Sequence, residues 1–471
     1  MRISVISDDL TGASDCGGQL IRFGLKVSVM VQEHSEKMSD YDAVIYNTDS
    51  RSVTGHEAYE SVKKVCDTIK SDPVDVIYKK IDSTMRGNIG EEINAIFDSF
   101  SPDFVIIAPA FPVNGRKVIN GIHYLNSVKL ENTEVAKDPK TPVRDSEIKR
   151  LIENQSKRKV EHITFQEIHQ GHDTIMEKLV SCKNNQISYI TVDSAQESDL
   201  EKLVELIHQT DFSVVWVGSA GLMNYLPEIY GMKQVEKTLP LPIHTEPVLL
   251  VVGSVSETGR IQLQHLLNNS ETVGLEMNSA KVLQDEELKA MELMRILSEA
   301  KEALFQGKNV VLYSSNNVNE TRNIGEQLGY DAVKISNIIS MRLGELAAEI
   351  ISIHDLKYLF LTGGDTAQQV FLQLNAKEFI LLDEVESGIP LGRVSTDKEF
   401  FIVTKAGNFG SKEVMLKALY KLHGRDYDEA DYRDYHGRRR RSGIRDYRES
   451  IRPSSCVRNM QTSCDWGREN D

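Results

Sequence analysis

Short β-branched apolar runs alternate with stretches of helical spacing along most of the chain, and nearly every run ends in a crowd of small or polar residues. Ile3 to Ile6 leads into Asp8, Asp9, Leu10, Thr11, Gly12 and Ala13, after which Cys16, Leu20, Ile21 and Phe23 recur at helical spacing. Lys26 to Val31 and Ala43 to Tyr46 read as further strands, the second ending in Asn47, Thr48, Asp49, Ser50 and Arg51. A helix from His56 to Lys70 carries Tyr59, Val62 and Val65, and Val76 to Lys80 then runs into Ile81, Asp82, Ser83, Thr84, Met85, Arg86 and Gly87. Phe104 to Ala108 is a buried strand that ends in Pro109, Phe111, Asn114 and Arg116. From Tyr124 to Arg158 the pattern weakens around Asp138, Pro139, Thr141 and Pro142, which predicts a loop of the kind that serves active sites. Alternation returns with strands at Val160 to Phe165, Ile187 to Val192 and Val214 to Val217, the last entering Gly218, Ser219, Ala220 and Gly221.

Lys237, Pro240, Pro242 and Pro247 interrupt any regular element, so a domain boundary is expected there. Beyond it a second series opens with Val248 to Val252 and continues with strands at Val310 to Tyr313, Tyr358 to Leu361, Phe379 to Leu382 and Phe400 to Val403. The helix from Ile335 to His354 presents Ile339, Leu343, Leu346, Ala347 and Ile350 on one face, which predicts burial against that sheet. The expected fold is therefore α/β: two domains, each a mostly parallel sheet flanked by helices. The expected division is a first domain over residues 1–235, a second over 236–423, and a disordered tail over 424–471. That tail has no apolar run and no lysine, and its Arg438 to Arg441 quartet is offset by Asp426, Asp428, Glu429, Asp431 and Asp434.

Bulk composition changes this picture little. With 471 residues, 40% hydrophobic and 27% charged, the chain has the make-up of a soluble globular protein of two or three domains. A signal peptide is not evident at the N-terminus, so a cytoplasmic location is expected. Five scattered cysteines give neither a disulfide framework nor a zinc site. The net charge of −15 argues against nucleic acid as a partner, and no run is apolar enough to suggest a membrane span.

The chemistry is expected at the strand ends. Gly363 and Gly364 let backbone approach an anion, Thr366 offers a hydroxyl, and a helix opening near Asp365 adds its positive end. A plain tight turn with Asp365 as N-cap explains the same residues, but Gly253 with Ser254 and Lys405 to Gly410 repeat the arrangement, and three such rims suggest a nucleotide. Neither a P-loop nor a GxGxxG fingerprint is present, which disfavours both an ordinary P-loop enzyme and the competing reading, a nicotinamide-dependent hydroxy-acid dehydrogenase. In the first half Asp8 or Asp9 suits proton transfer from a substrate hydroxyl, and Arg51, Lys79, Lys80 and Arg86 suit a carboxylate or a transferring phosphate. Together with Thr48, Ser50, Ser83 and Thr84 they suit a small polyhydroxylated acid; His123 and Cys16 lack identifiable partners and are read as structural.

These motifs resemble the four-carbon acid sugar kinases. The resemblance rests on VISDDLTGA at Val5 to Ala13, KKIDSTMRGNIG at Lys79 to Gly90, APAFPVNGR at Ala108 to Arg116, DPKTPV at Asp138 to Val143, GSAGL at Gly218 to Leu222, LTGGDTA at Leu361 to Ala367, GIPLGR at Gly388 to Arg393 and TKAGNFG at Thr404 to Gly410. It covers residues 1–423 and implies a sugar-acid substrate-binding domain over 1–235, a nucleotide-binding domain over 236–423 and an active site in the cleft between them, with ATP-dependent phosphorylation of the C4 hydroxyl of a sugar acid and Mg²⁺ assisting. By motif position it implies Asp9, Arg51, Lys80, Ile81, Asp82, Ser83 and Thr84 as substrate-binding residues, and Ser254, Gly363, Gly364, Asp365, Thr366 and Gly407 as the ATP site. Asp9 is the candidate base, with Asp8 and Asp82 as competitors; metal ligands are not identifiable. Ser14 to Gln19 resembles the D-threonate type most, although Cys16 and Gly18 depart from it, with D-erythronate the nearest alternative and L-threonate or 3-oxo-tetronates also within the family. The expected partners are thus a small sugar acid and ATP, with a homo-oligomer allowed.

Overall fold

The computed structural model describes residues 1–32, 40–72, 74–138, 140–235 and 241–427. The Arg-rich tail lies outside the described residues, apart from its first few, and so do Lys237, Pro240 and Pro139.

Eight strands of the first half form one parallel block in the order Val27–Met30, Ala43–Asn47, Ile3–Ser7, Val76–Lys80, Val214–Gly218, Phe104–Ala108, Tyr189–Val192 and Val160–Ile163. Their β-branched and aromatic side chains are buried on both faces, as a helix-covered parallel sheet requires. A second parallel block is ordered Val273–Met277, Val310–Ser314, Val248–Val252, Tyr358–Thr362 and Glu399–Lys405. The expected parallel sheets are both present, but they are not separate. A long hairpin, Glu378–Glu386 with Ile389–Ser395, joins them into one fifteen-stranded sheet. One arm pairs antiparallel with Glu399–Lys405 and the other antiparallel with Val27–Met30.

Three antiparallel pairings in succession reverse the strand direction between the blocks. In a flat sheet this reversal would set the carboxyl ends of the two blocks on opposite edges, yet loops from both carboxyl rims border one cleft. Register shifts between Leu381 and Asp383 and between Glu384 and Glu386 bend the connecting strand, which lets it turn from one block to the other.

The region that reads as a loop after Tyr124 is partly regular. Arg116–Ile119, Ile122–Leu125 and Val128–Lys129 make a small antiparallel sheet, and Ile148–Ser156 is a helix. Asn120, Gly121, Asn126 and Ser127 turn its hairpins with positive φ, a turn chemistry that weakens the hydrophobic signal. The predicted helix over Ile335 to His354 spans Ala332–His354 and buries Leu343, Leu346, Ala347 and Ile350. No helix among the described residues is long and apolar enough to cross a membrane.

Candidate active site

Asp9 follows the first strand, Ile3–Ser7, by two residues and caps the helix Leu10–Ile21. Its Oδ1 accepts from the Gly12 N–H at 2.9 Å, and its Oδ2 from the Thr11 hydroxyl at 2.8 Å. Arg51, carried by the loop after Ala43–Asn47, spans both aspartates with one planar fork. Its Nε donates to Asp8 Oδ2 at 2.6 Å, and its Nη1 and Nη2 donate to Asp9 Oδ2 and Oδ1 at 2.8 and 2.7 Å. Burial pushes the Asp8 carboxyl up, but Arg51, Lys79 and Lys80 outweigh it and hold Asp8 below its ordinary range.

Alternation along Val76–Lys80 sends Lys79 and Lys80 to opposite faces of the sheet. Lys79, a candidate for holding a substrate carboxylate, instead forms a fully buried ion pair with Glu92 at 2.9 Å, and Ser50 donates to the same Glu92 at 2.5 Å. Lys80 stays at the cleft: its Nζ donates to the Ile81 carbonyl at 3.0 Å and sits so near Gly12 that a Cβ there would stand 2.9 Å away. Asp82 accepts from the Thr84 hydroxyl and from Arg86 Nε, the latter at 2.7 Å, while Arg86 reaches Asp138 at 3.0 Å. Burial pushes Asp82 up, yet the guanidiniums of Arg86 and Arg51 hold it well below the usual carboxylate range.

The opposite rim is built from backbone. Gly363 has φ +99°, a conformation that L side chains avoid, and it starts the helix Gly364–Gln373 with no side-chain cap, so Asp365 is not the N-cap but lies in the first turn. Gly407 packs on Ser254, where a Cβ would stand 2.6 Å from the hydroxyl oxygen, and Ser256 donates to the Gly407 carbonyl at 3.1 Å. Beneath this loop Lys405 is buried and its Nζ donates to the carbonyls of Ala406, Gly407 and Phe409 at 2.8, 2.9 and 3.1 Å. Burial lowers the Lys405 ammonium to about 7.

Direct contacts draw the rims together. Lys140 Nζ meets Asp365 Oδ2 at 2.6 Å, Asn47 donates to Gln368 at 3.1 Å, and a Cβ at Gly364 would stand 3.3 Å from Asp9 Oδ2. Between them lies a cleft of about 550 Å³. Asp9, Arg51, Lys80, Asp82, Ser83, Thr84, Ser254, Gly363, Gly364, Asp365 and Gly407 all line it. Ile81 and Thr366 do not: the Ile81 side chain packs in the core under the loop, and Thr366 is buried against Gly253. Asp15, Asp49, Arg116 and Lys140 also reach the cleft; Asp49 and Arg116 come from polar strand ends and Lys140 from the DPKTPV segment, whereas Asp15 lies within a helix, where no such signal marks it. Burial, then Asp365 and Asp9, raise the Asp49 carboxyl to about 6. Among the described residues no three His, Cys, Asp or Glu side chains gather as metal ligands. His123 and Cys16 are both buried, as their reading as structural residues expects.

This geometry sets a side-chain-rich anion and hydroxyl site against a backbone cradle, and the comparisons divide the chain at the same place. A family described as "Sugar-binding N-terminal domain" matches residues 3–226, and one described as "Nucleotide-binding C-terminal domain" matches residues 249–415. A D-threonate kinase of Salmonella typhimurium is 31% identical over 431 residues, covering 90% of this chain and 98% of its own length. The chain belongs to the four-carbon acid sugar kinase family. A D-erythronate kinase of Heliobacterium modesticaldum is 28% identical, covering 87% and 94% of the two chains, and a 3-oxo-tetronate kinase of Haemophilus influenzae is 27% identical, covering 87% and 97%. A solved Salmonella typhimurium structure shares the fold at TM-score 0.74 and 23% identity, covering 88% of this chain and 98% of its own. A second, from Haemophilus influenzae, matches at TM-score 0.67 and 25% identity, covering 88% and 99%. As a member of this family the chain is a phosphotransferase, and the dehydrogenase alternative falls.

Proposed function

We propose that the chain transfers the γ-phosphoryl group of ATP to the C4 hydroxyl of D-threonate. The observation that carries this reading is the juxtaposition of Asp9 with the start of the helix Gly364–Gln373, which sets a carboxylate held by Arg51 against an uncapped helix N-terminus. Such an N-terminus stabilises phosphate through free N–H groups and the helix dipole. The donor set fits a nucleotide: Ser254, Gly363, Gly364, Asp365 and Gly407 form the cradle, Thr366 supports it from beneath, and Gly363 and Gly407 sit where a Cβ would crowd the neighbouring backbone or hydroxyl. Mg²⁺ keeps several waters and binds chiefly through substrate phosphates in sites of this kind, so phosphates and water would hold it here. When bound, Mg²⁺ neutralises charge on the phosphates.

The residues of the chain then act by position and charge. Lys80, Ser83 and Thr84, with Ile81 and Asp82 shaping their loop, receive the sugar acid. Asp9 accepts the C4 hydroxyl proton as transfer proceeds. All of its acceptor sites are filled, by Arg51 twice, the Gly12 N–H and the Thr11 hydroxyl; the hydroxyl is the partner that can rotate away to make room. Identity to the Salmonella D-threonate kinase supports D-threonate over D-erythronate, L-threonate and 3-oxo-tetronates. An ADP-release assay across these acids tests the choice. Fastest turnover is expected with D-threonate; a clear preference for another acid would replace the substrate, and inertness toward all would overturn the reading.

A further inference from the structure

Asp15 lies in the helix that Asp9 caps, lines the cleft and is only 4% exposed. Its Oδ1 is sealed from solvent and has no hydrogen-bond partner. The contrast with its neighbours is sharp. Asp8 and Asp9 take the fork of Arg51, and Asp82 and Asp138 take that of Arg86. A buried carboxyl oxygen without a partner costs the fold stability, and an apolar side chain of similar size would avoid that cost. The surroundings accommodate it nonetheless: at Gly388, φ +79°, a Cβ would stand 2.6 Å from Oδ1 and about as close to the Phe409 ring as packing allows.

A second unpartnered atom lies in the same cleft. Arg116 Nε is buried without a partner, although the same guanidinium donates through Nη1 to the Asn114 carbonyl and rests over the Phe409 ring, 5.4 Å from its centroid. The charged groups facing Asp15 are Lys80 and Arg116, which favour its ionised form, and Glu384 and Asp9, which oppose it. Burial is the largest influence, and the carboxyl is raised to about 7. A carboxyl oxygen and a guanidinium Nε without partners, beside a lysine, match a small molecule that carries both a carboxylate and a hydroxyl.

We infer that Asp15 binds a hydroxyl of the sugar acid and is a specificity-determining residue of the cleft, with Arg116 and Lys80 beside it for the acid's carboxylate. The inference rests on the phosphorylation reading above. A site built to bond a substrate hydroxyl rejects an analogue that points it elsewhere, because the buried polar group is then left unpaired. Epimeric tetronates differ in the direction of one hydroxyl, so Asp15 is placed to tell them apart.

The test is steady-state kinetics of Asp15→Ala and Asp15→Asn with D-threonate, D-erythronate and ATP across neutral pH, with ATP-induced thermal shift as the control for folding. Asp15→Ala is expected to raise KM for the preferred acid by about 10- to 100-fold, to shrink the ratio of kcat/KM between the epimers, and to leave KM for ATP unchanged. Asp15→Asn keeps hydrogen-bonding capacity without an ionisable proton. It is expected to retain more affinity and to lose an ionisation near neutrality from the kcat/KM profile for the acid. Should Asp15→Ala not fold, the profile and epimer ratio of Asp15→Asn decide alone. An active wild type whose epimer ratio and pH profile are matched by both variants would overturn this assignment only. A wild type inert to every four-carbon acid would overturn the phosphorylation reading and this assignment with it.

Discussion

Arg51 holds Asp8 and Asp9 with one fork, and the two aspartates differ in what they lose without it. Asp8 is 2% exposed, so removing the guanidinium strands a charge in the interior, whereas Asp9 borders the cleft and loses its orientation. Arg51→Ala is therefore expected to fail in two measurable ways. Stability in urea should fall by about 3–5 kcal/mol, the cost of breaking a buried pair. The kcat/KM for the acid should fall by at least about 100-fold, in line with a misplaced catalytic group. Arg51→Lys separates the effects, because an ammonium keeps the charge near Asp8 but cannot bridge two carboxylates with planar geometry. It should recover most of the stability and little of the turnover; equal recovery of both would show that charge alone matters. Lys79 shows the limit of reading such residues from sequence. Adjacent lysines look equivalent in a string, yet the strand's alternation gives one to the cleft and the other to Glu92, whose helix lies elsewhere in the sequence.

At the level of elements, the strand-to-helix rims were legible because each couples a β-branched run to glycine, hydroxyl or carboxylate residues at its end. Asp9, Arg51, Lys80 and Gly363 come together for that reason. The hairpin Glu378–Glu386 with Ile389–Ser395 was legible only in its first turn. Bulges break the period of its alternation, and charged Asp383, Glu384 and Glu386 replace apolar residues where it leaves the sheet core. The Gly407 loop is also supported by Lys405 at the end of Glu399–Lys405, which the sequence marks only as the first residue of a rim and not as its support from beneath. Its ammonium, lowered by burial to about 7 from an ordinary value of 10.5, is deprotonated in the fold over a range where the unfolded chain still binds the proton. Stability linked to Lys405 must then rise with pH between those two values and be lost as pH falls through about 7. Lys405→Met is expected to abolish this slope in denaturant unfolding across that window. Without the three donated hydrogen bonds the loop also relaxes, and KM for ATP should rise about tenfold, the equivalent of one or two net hydrogen bonds. An unchanged slope together with an unchanged KM would show that Lys405 neither titrates there nor shapes the loop.

Across the whole molecule, the two parallel blocks share one sheet, and one hydrophobic cluster draws residues from both while a second lies within the first half. The last described helix, Val414–Leu422, completes this core: Val414, Met415, Leu419 and Leu422 are buried against the C-terminal block. Its end is clamped to the segment that enters the second block. His244 Nε2 lies 2.7 Å from the Leu422 carbonyl, His423 Nε2 lies 3.2 Å from the Glu246 carbonyl, and the His244 ring stacks on Tyr358. Residues 1–426 form one compact unit by their contacts, and the sequence beyond has no apolar run with which to extend it. Two stop codons therefore bracket a sharp boundary. Ending the chain after Asp426 should leave kcat/KM within about two-fold and the melting temperature within about a degree, because no named core or cleft residue is lost. Ending it after Ala418 removes Leu419, Leu422 and the histidine clamp, and loss of two buried leucines alone should cost roughly 4–10 kcal/mol, enough to unfold a typical domain. Turnover lost in the chain ending at Asp426 would place a functional element in the Arg-rich segment, and turnover kept in the chain ending at Ala418 would show that the helix end is dispensable to the core.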